Sequence, residues 1–226
     1  MSKNVYALLV GINDYSPAVG KLTGCLNDVN HFHSYLTDNL DRNRLHIEVL
    51  KDADATRPNI IKQFRKHLGQ AKAGDVAVFQ YCGHGARCKS AKAFEPFFPD
   101  GKDEGLVCYD SRGGNGFDLA DKEMAALLAE LAKNEPHIAC ILDCCHSGSA
   151  TRSADDFTQL KSRQTHEVFD ERPLESYLDG YYAALSKRGE SLEIPASRHI
   201  LLAACQRVQK AWEGDRKSTR LNSSHG

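Results

Sequence analysis

The chain has 226 residues, 41% of them hydrophobic and 26% charged, with 29 Lys and Arg set against 30 Asp and Glu. That length allows one domain with a substantial core, and the composition is ordinary for a globular protein. The balanced charge offers no field to attract nucleic acid or an anionic membrane, and no apolar run approaches the length of a membrane span. The eight cysteines are irregularly spaced, and Met1-Ser2-Lys3-Asn4 enters a strand-like run without the segments of a signal peptide. Reduced thiols in a cytoplasmic protein are therefore expected, rather than a disulfide framework.

Val5 to Val10 reads as a buried strand closed by Gly11, and Ile12 to Pro17 has turn composition. Cys25, Leu26, Val29, Phe32 and Leu36 recur at helical spacing, so a helix is expected over about Thr23 to Thr37. Leu45 to Leu50 alternates apolar with polar and reads as a second strand nearer an edge. Pro58 fits the first turn of a helix reaching about Ala71. A third strand, Val76 to Tyr81, ends on Cys82-Gly83-His84-Gly85. Ala86 to Gly116 reads as a long functional loop or insertion with one apolar piece, Leu106 to Tyr109. Asp118 or Asp121 is placed to cap the helix that carries Met124, Leu127, Leu128 and Leu131, and Asn134-Glu135-Pro136 ends it.

Ile138 to Leu142 is an almost uninterrupted apolar run, the pattern of a strand buried on both faces. Beyond it, Ala150 to Ser197 is polar, with only Tyr177 to Leu185 helical in pattern, and His199 to Ala204 is a fifth strand. Strands alternating with helices imply right-handed βαβ units, hence an α/β fold with a mostly parallel central sheet. The stretch from Asp215 to His225 resembles the translation of a sequencing-library adapter. Residues 1–214 are therefore taken as the domain, 150–197 as a polar linker or insertion, and 215–226 as a disordered artefact.

Parallel strands present their carboxyl ends on one edge of the sheet, where ligands and chemistry gather in open α/β folds. The third strand ends in Gly83-His84-Gly85 and the fourth in Asp143-Cys144-Cys145-His146. A thiol nucleophile, Cys144 or Cys145, needs an imidazole to take its proton and later protonate the leaving amine, and His84 is offered from a glycine-flanked loop. The N–H of Gly85, unhindered by a Cβ, joins that of the nucleophile as an oxyanion hole. Packing of both cysteines is the simpler alternative. Metal ligation by Cys82, His84, Cys88, Cys144, Cys145 and His146 is disfavoured, since no Cys-x-x-Cys pair is present and adjacent cysteines chelate poorly.

Tyr81-Cys82-Gly83-His84-Gly85 followed by Asp143-Cys144-Cys145-His146-Ser147-Gly148 resembles the histidine and cysteine motifs of metacaspases and their bacterial caspase-like relatives. Leu9 to Tyr15, Leu22 to Asp28, and Ile200 to Gln206 with Ala211-Trp212-Glu213 extend the resemblance over Val5 to Glu213. It implies a caspase-like three-layer sandwich. Such sheets have a sixth strand, and nothing after Glu213 supplies one, so loss of the last strand through C-terminal truncation is expected. It also implies a cysteine endopeptidase with His84 as general base and acid and Cys145 as nucleophile. Gly85 and Cys145 become the oxyanion donors, and Cys144 a packing neighbour.

Cys25, Asp28 and Asp143 correspond to the family's pocket for an Arg or Lys preceding the scissile bond. Two carboxylates in a partly desolvated pocket suit a guanidinium and repel an acidic side chain. Protein or peptide substrates are thus the expected partners of a monomer. Self-cleavage would fall at Arg152, Lys161, Arg163, Arg172, Lys187, Arg188 or Arg198. The alternative is a catalytically silent interaction module. No cofactor is expected. Calcium is weakly implied through Asp100, Asp103, Glu104, Asp118 and Asp121, because Ala150-Thr151-Arg152 stands where relatives carry a further acid, and Ala120 replaces one of two paired acids.

Overall fold

The computed structural model describes residues 3–112, 116–144, 160–204, 211–214 and 220–222, of which 160–162, 211–214 and 220–222 are described by backbone alone. In chain order the elements are β1 (Val5–Gly11), α1 (Cys25–Asn39), β2 (Leu45–Lys51), α2 (Arg57–Lys66), β3 (Val76–Cys82), β4 (Gly85–Lys89), β5 (Lys102–Leu106), β6 (Leu119–Ala120), α3 (Asp121–Ala132), β7 (His137–Asp143), β8 (Leu160–Ser162), α4 (Tyr181–Lys187), β9 (Ile200–Ala203), β10 (Ala211–Gly214) and β11 (Arg220–Asn222).

The five strands expected to be parallel form one sheet in the order β2-β1-β3-β7-β9, every pair parallel. The chain moves from β1 outward to β2, then crosses back over β1 to β3 and onward to β7. Right-handed crossovers therefore put α1 on one face and α2 with α3 on the other. The fold is the α/β three-layer sandwich. Ala7 to Val10 are wholly buried, as are Phe79 and Tyr81 to within 1%, which is why these runs are continuously apolar. β2 buries only Leu50, as an edge strand with alternating pattern does. Ile200, Leu201 and Leu202 of β9 are each more than half exposed, and no sixth strand pairs with β9 among the described residues.

Ala86 to Gly116 is not one long loop. β4 and β5 form an antiparallel hairpin, extended by β6, beyond the carboxyl end of β3. Its strands carry Arg87, Lys89, Lys102, Asp103 and Glu104, whose charges hid the strand pattern. Leu106 closes β5, so the apolar piece is the hairpin's inner end. The helix expected to reach Ala71 stops at Lys66 and tightens into a single 3-10 turn at Leu68–Gln70. Neither Asp118 nor Asp121 caps α3. Ala120 holds the cap position, and Glu123, one turn in, accepts its N–H at 2.9 Å. Asp118 is engaged by Arg112 instead.

Within the polar segment, α4 begins at Tyr181 after a 3-10 turn at Leu174–Gly180. Arg220–Asn222, inside the stretch attributed to an adapter, pairs antiparallel with β10, which in turn pairs with β8.

Candidate active site

Registration of the sheet sets the site. Gly11 pairs with Cys82 and Cys82 with Asp143, so β1, β3 and β7 end level, and the chain leaves each strand on the same edge. β1 runs into a loop anchored by Asp52, whose Oδ1 accepts the N–H groups of Asn13 (2.7 Å) and Asp14 (2.9 Å). Asn13 Oδ1 in turn accepts the Cys25 N–H at 3.0 Å. The preceding Gly24 brings no side-chain cap, so Asn13 serves the amino end of α1 from outside the helix. That bond fixes where Cys25 and Asp28 stand.

His84 is buried, with 4% of its surface exposed. Its Nε2 lies 3.0 Å from the Gly20 carbonyl. A carbonyl only accepts, so Nε2 carries the proton and Nδ1 is the basic nitrogen, the arrangement a proton acceptor requires. The backbone of His84 is gripped by two tyrosines. Tyr15 accepts its N–H at 3.0 Å and donates to the Val107 carbonyl at 2.9 Å, while Tyr81 donates to the His84 carbonyl at 2.8 Å. The two phenol oxygens are 3.1 Å apart, and burial holds both hydroxyls well above the usual phenol range, so they stay protonated. A Cβ on Gly83 would stand 2.5 Å from both oxygens; this is why glycine precedes His84.

Cys25 is wholly buried, Asp143 is 4% exposed and Asp28 is half-buried. The structure brings the three together around one guanidinium. Arg163 is 0% exposed; its Nη2 lies 2.6 Å from Asp28 Oδ2 and its Nη1 2.5 Å from Asp143 Oδ1. Burial opposes its charge, but Cys25, Asp28 and Cys82 outweigh that and hold its pKa above the ordinary value. Carboxylate and thiol atoms of Asp28, Cys82 and Asp143 lie within 4.8 Å of one another, a spacing that would suit a metal ion, yet the guanidinium already neutralises the two acids.

The main chain of the same segment completes the site. The Gly85 N–H donates to the Arg163 carbonyl at 3.0 Å, and the Gly85 carbonyl accepts the Thr165 N–H at 3.1 Å. Beyond that pair, the chain continues parallel to β4, with bonds from Val168 to Arg87 (3.0 Å) and from Lys89 to Val168 (2.9 Å). Cys145 lies outside the described residues, two positions past Asp143. Cys144 is buried against the core.

The acids named for calcium do not assemble a site for it. The ammonium of Lys122, itself 0% exposed, lies 2.7 Å from Asp103 Oδ1 and 3.3 Å from Asp121 Oδ1, and it donates to the Lys102 carbonyl at 3.1 Å. Asp118 meets Arg112 at 2.5 Å, Glu104 meets Arg87 at 3.2 Å, and Asp100 is exposed. Asp103, Glu104, Asp118 and Asp121 thus face basic side chains, so these four do not fit a divalent cation.

Sequence reasoning named Tyr15 and Tyr81 within motifs without giving them work, and named Arg163 as one basic residue among several. The hydroxyls could have been suspected from Gly83, since a glycine beside a histidine signals a close approach. Nothing local marked Asn13, whose role depends on a loop meeting a helix.

The sequence profile described as "Metacaspase, peptidase C14 domain" matches residues 6–153. Metacaspase-1 of Ajellomyces capsulatus (strain NAm1 / WU24) is 33% identical over 150 residues, covering 64% of this chain and 40% of that protein. Metacaspase III c of Phaeodactylum tricornutum (strain CCAP 1055/1) is 33% identical over 178 residues, covering 74% of this chain and 51% of that protein. The chain therefore spans about half or less of the length of these relatives. A crystal structure of a Geobacter sulfurreducens protein superposes with a TM-score of 0.62 at 20% identity, over 96% of this chain and 76% of that one, a likeness of fold.

Proposed function

The chain belongs to the metacaspase peptidase family, and from that membership we propose that it is a cysteine endopeptidase hydrolysing peptide bonds after Arg or Lys. The observation that carries this reading is the guanidinium of Arg163, held between Asp28 and Asp143 while its own carbonyl rests on the Gly85 N–H. A basic side chain between the two acids, with its carbonyl on the Gly85 N–H, supports reading the acids as the specificity pocket and that N–H as an oxyanion donor.

In the proposed reaction His84 Nδ1 takes the proton of the Cys145 thiol. The thiolate adds to the carbonyl carbon, and the developing oxyanion is stabilised by the Gly85 N–H together with that of Cys145. The imidazolium then protonates the departing amine, leaving a thioacyl-enzyme. Water, deprotonated by the same imidazole, hydrolyses the thioester and restores the thiol. Tyr15 and Tyr81 hold the His84 main chain and the Gly20 carbonyl holds its Nε2–H, so Nδ1 is the nitrogen that takes up and gives back the proton in both half-reactions. No step calls for a metal or cofactor, and the reading is of a monomer acting on protein or peptide substrates. No helix among the described residues is long and apolar enough to cross a membrane.

The test is hydrolysis of fluorogenic peptides ending in Arg, Lys or Asp. The parent should cut after Arg and Lys but not Asp, and Cys145→Ala should be inert. A parent as inactive as the Cys145→Ala variant would favour a silent interaction module instead.

A further inference from the structure

The loop between β1 and α1 reaches the site at three points. The Gly20 carbonyl accepts the His84 Nε2–H at 3.0 Å, and the Tyr15 hydroxyl accepts the His84 main-chain N–H at 3.0 Å. Its far end delivers the first turn of α1, with Cys25 and Asp28. The base and the acid pocket therefore both depend on one loop keeping its shape.

That shape is closed at a neck. Asn13 holds the returning chain by three bonds. Its carbonyl accepts the Leu22 N–H at 2.9 Å, its Nδ2 donates to the Thr23 carbonyl at 3.2 Å, and its Oδ1 accepts the Cys25 N–H at 3.0 Å. Residues 14–21 thus form a compact loop whose ends meet. Within it the Ser16 carbonyl accepts the N–H groups of Val19 and Gly20, and Gly20 turns the chain at φ +92°, a conformation glycine takes freely.

The neck is gripped from outside by Asp52. Lys51, at the end of β2, pairs with Gly11, so Asp52 emerges beside the start of the loop. One oxygen of its carboxylate accepts two successive N–H groups, those of Asn13 and Asp14. To do so Asp52 takes φ +42°, a left-handed backbone that among side-chain-bearing residues Asp and Asn tolerate best. The other tie across the neck, Lys21 to Asp14, is exposed on both sides and is weakened by water.

We propose that Asp52 and Asn13 are positioning residues of this site. Asp52, acting through the loop, keeps the Gly20 carbonyl on His84 and thereby sets which ring nitrogen is basic; Asn13 keeps Cys25 and Asp28 in place. The kinetic consequences rest on the peptidase reading above, whereas the state of the His84 ring can be observed without a substrate.

Three variants of the 226-residue chain separate the two roles. Asp52→Gly suits the backbone angle but removes the acceptor, Asp52→Asn keeps the angle and an acceptor oxygen, and Asn13→Ala cuts only the side-chain ties to Thr23 and Cys25. Nitrogen-15 NMR of the imidazole, assigned by its loss in His84→Gln, should show the parent protonated at Nε2. Asp52→Gly should show both tautomers, while Asp52→Asn and Asn13→Ala keep the parent's. On a short Arg peptide, kcat of Asp52→Gly should fall about tenfold and its KM rise about threefold, with Asp52→Asn near the parent in both. Asn13→Ala should raise KM about threefold and leave kcat unchanged. Circular dichroism checks that each variant folds; should Asp52→Gly fail to fold, an Asn13→Ala chain with the parent's KM still overturns the inference. A folded Asp52→Gly that keeps the Nε2–H tautomer, or an Asp52→Asn as impaired as Asp52→Gly, overturns it and leaves the peptidase reading standing. A parent without activity brings down that reading, and the tautomer of Asp52→Gly then decides the inference by itself.

Discussion

Arg163 and Lys122 are both wholly buried, and each lies between two aspartates, yet they belong to the molecule in different ways. Lys122 sits in the first turn of α3, with its ammonium also 4.2 Å from the Phe98 ring centroid, and its partner Asp103 accepts the Tyr177 hydroxyl at 2.6 Å. Its main partners come from packed elements of the core. Arg163 hangs from a segment laid along β4, and Asp28 on the pocket's outer side keeps 15% of its side chain exposed. One ion cluster is a joint; on the proposed peptidase reading the other is a recognition pocket with an occupant. A buried cation between two acids does not by itself tell which; the attachment of its backbone does.

The joint should break hardest. Lys122→Met leaves Asp103 buried without its cation, and losing one partner of a buried pair costs about 3–5 kcal/mol. Urea denaturation should show that loss with an unchanged slope. Because the ammonium stands where a divalent ion would have to, calcium added to the parent should leave the melting temperature within about 1 °C. The same calcium should raise the melting temperature of Lys122→Met, whose acids it can then bridge. A parent that needs calcium to fold would show that Lys122 does not fill that role.

The pocket should break in activity rather than in stability. Asp143→Asn removes one of the two charges facing the guanidinium, and the loss of about 2 kcal/mol or more from a buried charged contact predicts at least a 30-fold fall in kcat/KM on an Arg peptide. Asp103→Asn, its counterpart in the joint, should lower the unfolding free energy and leave kcat/KM on that peptide as it was. Equal losses of activity from both would erase the distinction drawn between the two clusters.

A weaker effect is expected at Tyr15, which belongs to neither cluster and holds the main chain of His84, the proposed base. Tyr15→Phe strips the His84 N–H of its acceptor, and an unmet buried donor costs about 1–2 kcal/mol. With the imidazole less well held, kcat should fall about tenfold while KM stays near the parent value. A rise in KM alone would place Tyr15 in substrate binding.

The chain's own pattern revealed the central sheet and the residues gathered at its edge, because both rest on local signals. Apolar runs such as Ala7 to Val10 mark strands, and parallel strands deliver His84 and Asp143 to one edge whatever the loops do. The β4–β5 hairpin was missed because its charged residues find partners across the fold, as Arg87 does in Glu104. The partners of the acids named for calcium were hidden for a related cause. Asp103 and Asp121 look like hard ligands in sequence, and only the packing of α3 against β5 and β6 puts Lys122 between them. Arg163 was visible as a basic residue in a polar stretch, but its place in the pocket depends on contacts spanning 135 positions to Asp28.

The smallest effect sharpens the joint from its exposed side. Burial pushes the Asp121 carboxyl up to about 6, with the Lys122 charge pulling the other way. The unfolded value is near 3.9, so between the two the folded state binds the proton more tightly. The sign follows: Asp121 weighs least on stability below about pH 4, and its cost grows as the pH rises through about 6, when the folded protein must carry the charge. Its side chain is 38% exposed, so solvent screening should keep the swing under about 1 kcal/mol. Measured against Asp121→Asn, which has nothing to titrate there, the parent should lose stability as the pH is raised from about 4.5 to about 6.5. If the parent gains on the variant over that range, the Lys122 ion pair outweighs burial at Asp121, and both aspartates of the joint, not Asp103 alone, depend on the ammonium.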